Sequence, residues 1–226
     1  MIRSRSALCS AILLLLTACS AAAQVPWESP ALLAPHAPRG FGILAASYAA
    51  APGDGLGAVV VWRRADAPTG LGFRIAAGNG FGEELAVGVG VEASSWIVQA
   101  SPAFPLDVIW VSGIGGSYGR SAQIALPIGV SAGRSLGREA VWFNPYAAAR
   151  AVIEGRIGGS APEGELDLQL ATEIGANMSF DRERKFVLRM AASIGDRSAL
   201  AIGAHIGAGS RNAERATPAT SEVRSR

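Results

Sequence analysis

The chain has 226 residues, half of them apolar and 17% charged, with a formal net charge of +2. That balance excludes a disordered polyelectrolyte, which needs low hydrophobicity and high charge, and gives no electrostatic reason to expect nucleic acid as a partner. Two cysteines, Cys9 and Cys19, exclude a disulfide scaffold and a cysteine zinc site, and no His-x-x-x-His or EF-hand spacing calls for a metal or any other cofactor.

Residues 1–23 read as an export signal. Arg3 and Arg5 precede an apolar run from Ala7 to Ala18 that is too short to cross a bilayer as a helix. Leu16-Thr17-Ala18-Cys19 resembles a bacterial lipobox, which implies cleavage before Cys19 and lipidation of its thiol. Ala21-Ala22-Ala23 offers the other cleavage pattern and would leave Gln24 as the mature N-terminus. Residues 24–39 hold four prolines and no regular period, so they read as a lead-in. Residues 211–226 form a polar tail that is expected to be disordered.

The body, 40–210, alternates with the period of two that marks β-strands. About ten segments begin near residues 41, 55, 70, 84, 106, 121, 139, 163, 184 and 198, with turn-forming sequences such as Ala51-Pro52-Gly53-Asp54 and Gly159-Ser160-Ala161-Pro162 separating most of them. Leu71, Phe73 and Ile75 oppose Gly72, Arg74 and Ala76, while Leu85, Val87, Val89 and Val91 oppose Ala86, Gly88, Gly90 and Glu92. Leu166, Leu168, Leu170 and Ile174 oppose Glu165, Asp167, Gln169, Ala171 and Glu173; Leu200, Ile202 and Ile206 oppose Ala201, Gly203 and His205. The run 146–155 (YAAARAVIEG) would also suit a short helix.

Two closures fit such a meander. In a soluble lipocalin-like barrel the large residues point inward; in a transmembrane barrel they face lipid and the interior is polar or filled with small side chains. The minor face decides between them. It carries glycine and alanine mixed with charges of both signs, and the whole chain has one lysine, Lys185, where a water-facing sheet would carry several. A narrow interior demands small residues, and its few long side chains need partners. The expected interior charge network sets Arg74, Arg150 and Arg189 against Glu92, Asp107, Glu165, Asp167 and Glu173, with His205 joining it. Trp62, Trp96, Phe104, Tyr118, Trp142, Phe143, Tyr146, Phe180 and Phe186 lie near the expected strand ends, as aromatic girdles at two membrane interfaces would.

The export signal, the alternation and Asn144-Pro145-Tyr146-Ala147-Ala148 resemble the small outer-membrane β-barrels of the OmpA and OmpX type over residues 40–210. The resemblance implies outer-membrane lipid and the barrel-assembly machinery as partners. The chain departs from that group by ending on a polar tail rather than on an aromatic residue of the last strand.

Candidates for catalysis are thin. Gly115-Gly116-Ser117-Tyr118-Gly119 matches a nucleophile elbow, but the run Gln123-Ile124-Ala125-Leu126-Pro127 alternates as a strand where that elbow needs a helix. A barrel hydrolase would have to use His205 with a serine such as Ser131 or Ser193, and no local motif supports this. The expectation is therefore an all-β, antiparallel, up-and-down transmembrane barrel of eight to ten strands in the outer membrane. It would have a structural or narrow porin-like role, without catalytic residues, and its solute is unassigned. The competing expectation is a periplasm-facing lipoprotein whose lipocalin-like barrel binds an apolar ligand.

Overall fold

Strict alternation over long stretches produces eleven strands: β1 (Gly40–Tyr48), β2 (Gly55–Arg63), β3 (Gly70–Asn79), β4 (Leu85–Val98), β5 (Asp107–Tyr118), β6 (Ala122–Gly133), β7 (Leu136–Arg138), β8 (Val141–Ile157), β9 (Leu166–Ser179), β10 (Phe186–Gly195) and β11 (Ala199–Ile206). The computed structural model describes residues 34–48, 55–64, 70–79, 85–119, 122–138, 141–157, 166–181, 183–195 and 198–207. The export signal with Cys19, the tail 211–226, Glu165 and the turn sequences around 51–54 and 159–162 lie outside the described residues.

Each long strand pairs antiparallel with its sequence neighbours. β6 pairs with β8 and β1 pairs with β11, so ten strands close into a ring. β7 pairs only with Val141–Phe143 of β8 and extends that hairpin beyond the ring. The ring settles the expected eight to ten strands at ten. The run 146–155, whose composition also suits a helix, lies inside β8, the longest strand at 17 residues. Its alanines are neutral in character, and pairing along both edges, to β6 and to β9, decides the conformation.

Ten is an even number, so the chain enters and leaves the ring at one rim: Phe41 sits opposite Ile206. We call this the terminal rim and the other the far rim.

The two faces of the wall differ completely in chemistry. Phe73, Ile75, Val87, Val89, Leu126, Ile128, Leu168, Leu170, Leu200 and Ile202 all point outward and are exposed. Ile75 and Leu168 are 62% and 61% exposed, whereas Arg74, beside Ile75, is buried. This is the reverse of a lipocalin-like barrel. A large aliphatic or aromatic side chain left in water forfeits about 1.5–3 kcal/mol, and here a continuous belt of them encircles the ring. Lipid solvates such a belt, and ring closure gives each of the ten strands a partner strand on both sides. The fold is a transmembrane β-barrel.

The aromatic residues divide between the faces. Phe143, Phe180 and Phe186 are exposed near the terminal rim and Tyr118 near the far rim, as girdles require. Trp142 and Tyr146 are buried on the inner face, and Trp96 packs there against Ile109 and Val111, so those three do not belong to a girdle.

Glycine makes room inside. The register places six of the long inner side chains across from a glycine on a neighbouring strand: Arg63 from Gly40 and Gly72, Arg74 from Gly90, Glu92 from Gly72 and Gly113, Arg150 from Gly129, Arg189 from Gly203, and His205 from Gly42. Tyr146 shows the reason most clearly. Its ring covers Gly175, where a Cβ would stand 2.5 Å from the phenol oxygen. The wall has a weak line between β5 and β6. Pairing of β5 with β6 runs from Asp107↔Gly133 to Ser112↔Ile128 and resumes at Gly115↔Ala125. Pro127, which has no N–H to give to a ladder, lies in the interval.

Candidate functional site

The candidate site is the lumen, because the inner face gathers most of the buried charged side chains of the described residues. From the far rim inward the first layer is acidic and amide-rich. Ser117 Oγ donates to Gln123 Oε1 at 3.3 Å, and Gln123 Nε2 donates to Glu154. Gln169 Nε2 donates to Glu154 Oε2 at 3.1 Å and to Asp167 Oδ2 at 3.0 Å. Glu154 is wholly buried, so these two amides stabilise its carboxylate in place of water.

The middle layer is ionic. Arg63 and Arg74 both pair with Glu92, one guanidinium on each carboxylate oxygen. Arg150 lines a void of about 10 Å³ together with Arg74, Glu92, Pro127 and Gly129, room for about one water. Tyr146 Oη donates to Glu173 Oε1 at 2.7 Å. Arg189, fully buried, donates from Nε to Asn177 Oδ1 at 3.0 Å. His205 is fully buried on the last strand beside Gly42.

The terminal rim is closed by the end of the expected lead-in. Ala34–Arg39 turns into the mouth, with Ala37 N donating to Ala34 O at 3.0 Å and Ala34 buried in the apolar cluster that Leu44, Val59 and Tyr146 share. His36 Nε2 lies 2.8 Å from Asp107 Oδ2, and its ring centroid is 5.3 Å from that of Trp96. Asp107 Oδ1 accepts from Ala100 N at 2.8 Å. Behind this segment lies a cavity of about 70 Å³ whose lining includes Arg39, Arg63, Arg64, Ser94, Ser95 and Trp96.

Of the network residues expected from the sequence, Arg74 meets Glu92. Arg150 stands beside both, while Glu173 takes a tyrosine hydroxyl and Arg189 a carboxamide. Asp107 is turned to the rim and His36, and Asp167 is exposed beside Gln169. Arg63, Tyr146, Glu154, Gln123, Gln169 and Asn177 belong to the lumen without belonging to that expected set. A signal for Glu154 does exist in the sequence: counting by twos from Asn144 along one strand reaches Tyr146, Arg150 and Glu154. Ser117 ends at the far rim and His205 near the terminal rim, so the structure does not bring that pair together. Ser131 lies on β6, which does not pair with β11, and Ser193 sits opposite Ala199, at the other end of β11 from His205. Among the described residues no three His, Cys, Asp or Glu side chains gather as metal ligands.

No family model and no curated protein matches the chain. Among solved structures, one titled KdgM porin is similar, with a TM-score of 0.35 and 10% sequence identity over 74% of this chain and 98% of that chain.

Proposed function

We propose that this protein is an outer-membrane β-barrel with a narrow, porin-like lumen and no chemistry of its own. The observation that carries the reading is the inversion of the two faces, with an apolar belt outside and a paired, charged interior. The inner side chains meet across the ring, as in small barrels filled by their own residues, so the pathway suits water and small ions rather than large solutes. The terminal rim faces the periplasm, where an exported chain begins its barrel, and the far rim faces outward. Outer-membrane lipid and the assembly machinery are the partners of this reading.

The test is conductance of the full chain in a planar bilayer, with a heat-dependent gel shift as the check on folding. The wild type is expected to pass small, brief currents. An Arg74→Ser/Glu92→Ser variant removes two of the three charged side chains of this group, keeps Arg63, and should raise single-channel conductance severalfold. Equal conductance in the two proteins would show that this layer does not set the aperture. Release of the wild type from membranes by carbonate as a soluble monomer would overturn the barrel reading altogether.

The lipobox reading of Cys19 is carried forward as part of the proposal. A mature N-terminus at an acylated Cys19 supports a lipid anchor, and one at Gln24 removes it.

A further inference from the structure

Charge is distributed unevenly along the lumen. The far rim holds Glu154 and Asp167, while the terminal half holds an excess of arginine. There Arg63 and Arg74 share the single carboxylate of Glu92. Arg189 is wholly buried, with a neutral carboxamide on Nε and both terminal nitrogens without a partner among the described residues. Arg63, Arg189 and His205 lie within electrostatic reach of one another. Among the described acids at this rim, Asp107 is already occupied by His36 and the Ala100 amide, Asp181 by the amides of Glu183 and Lys185, and Glu183 by the Lys185 ammonium.

The cavity of about 70 Å³ opens into this basic half. Arg63 forms part of its inner wall, and Arg39 and Arg64, both exposed, stand at its mouth. Ser94 and Ser95 add hydroxyls and Trp96 an aromatic wall; no carboxylate occurs among the described lining residues. We propose that this cavity binds a small soluble oxyanion of the phosphate class. Several waters would fit in the volume, at roughly 10–15 Å³ of such space for each, and so would one tetrahedral anion.

The chemistry of the lining favours the anion. Guanidinium groups present planar forks of donors that match the oxygens of phosphate, and hydroxyls complete the shell. Ala34–Arg39 narrows the entrance and limits the ligand to a small ion. The site does not require that anything pass through the barrel, so binding and conductance can succeed or fail separately.

The test is isothermal titration of sodium phosphate into the full chain folded in a phosphate-free non-ionic detergent, with sodium chloride at matched ionic strength as the control. Saturable binding is expected with phosphate and not with chloride. An Arg39→Gln/Arg64→Gln variant should weaken it about tenfold or more, since each lost charge-assisted contact is worth about a factor of ten. These two arginines are exposed, and an unchanged heat-dependent gel shift verifies the variant's fold. Arg63→Gln, checked in the same way, should weaken binding further. No saturable phosphate signal, or binding in the rim variant within about twofold of wild type, would overturn the proposal. Short-chain phosphatidylglycerol tests the other source of the same chemistry. Displacement of phosphate by this lipid, lost in the rim variant, would assign the site to a headgroup and overturn the soluble ion; no displacement supports it.

Discussion

Tyr146 and Gly175 face one another across the β8–β9 ladder, and the contact between them shows how single residues determine the interior. The ring occupies the space a Cβ at 175 would need, and the hydroxyl reaches Glu173 at 2.7 Å. Gly175→Val should therefore destabilise the barrel by about 1–3 kcal/mol through overpacking against a ring that cannot withdraw. Tyr146→Phe keeps the ring and removes the donor from a buried carboxylate, and should cost about 1–3 kcal/mol. Denaturant midpoints in detergent micelles measure both. In the Gly175→Val/Tyr146→Ala pair the clash term should vanish, so its loss should be smaller than the sum of the single losses.

At the turn after β9 the chemistry is different. Asp181 accepts N–H bonds from Glu183 and Lys185, both at 3.0 Å, and Arg184 takes a positive φ of 53° to allow it. Those bonds favour the carboxylate and hold its pKa below the ordinary aspartate value. With the folded value depressed, the turn's contribution is complete above the unfolded pKa of about 3.9 and is lost as pH falls through the lower folded value. The Glu183 and Lys185 amide resonances should titrate with that depressed midpoint, and Asp181→Asn should abolish the transition. Legibility at this scale depends on contrast. Arg74 and Glu92 stand out among glycines and alanines, whereas Arg63 ends a strand apolar on both faces, Val59-Val60-Val61-Trp62, and the sequence assigns it no inner side.

Strands are the most legible elements, because alternation states both their extent and their faces. The expected starts at 55 and 70 coincide with those of β2 and β3, and the others fall within three residues. β8 resists assignment because alanine at 147, 148, 149 and 151 carries little preference, and tertiary pairing supplies what the local sequence lacks. β7 is too short for any period to show. The prolines of the lead-in suggest a linker, yet Ala34–Arg39 docks in the mouth; a turn held by one buried alanine and one histidine leaves no periodic trace. The gap in the β5–β6 ladder is equally invisible, although Pro127 marks its position. Of the backbone amides at Gly113 and Ile114, the one directed at β6 should exchange with solvent deuterium faster than the one directed at β4, and equal protection of the two would show an intact ladder.

For the whole molecule the decisive property is which face meets which solvent, and adjacent residues test it. Arg74 is buried and paired inside, while Ile75 is 62% exposed outside. If the outer solvent were water, Ile75→Arg would replace an exposed apolar group with a charged one and leave stability nearly unchanged or solubility improved. In a bilayer the same substitution places a guanidinium against hydrocarbon, and the cost for arginine rises to about 2–4 kcal/mol near the midplane and falls towards the interfaces. Ile75 pairs with Val60 and Val89, both also exposed, so a whole patch of the belt surrounds it. Reversible unfolding of the variant in phospholipid vesicles should therefore show a loss of that size. Leu168→Arg on the opposite run of strands should show a loss whose size reports its depth. Substitution of the inward neighbour Ala76 by serine should leave lipid contacts untouched and cost less than Ile75→Arg. A variant pair in which Ile75→Arg proved the milder change would place water, not lipid, around the barrel.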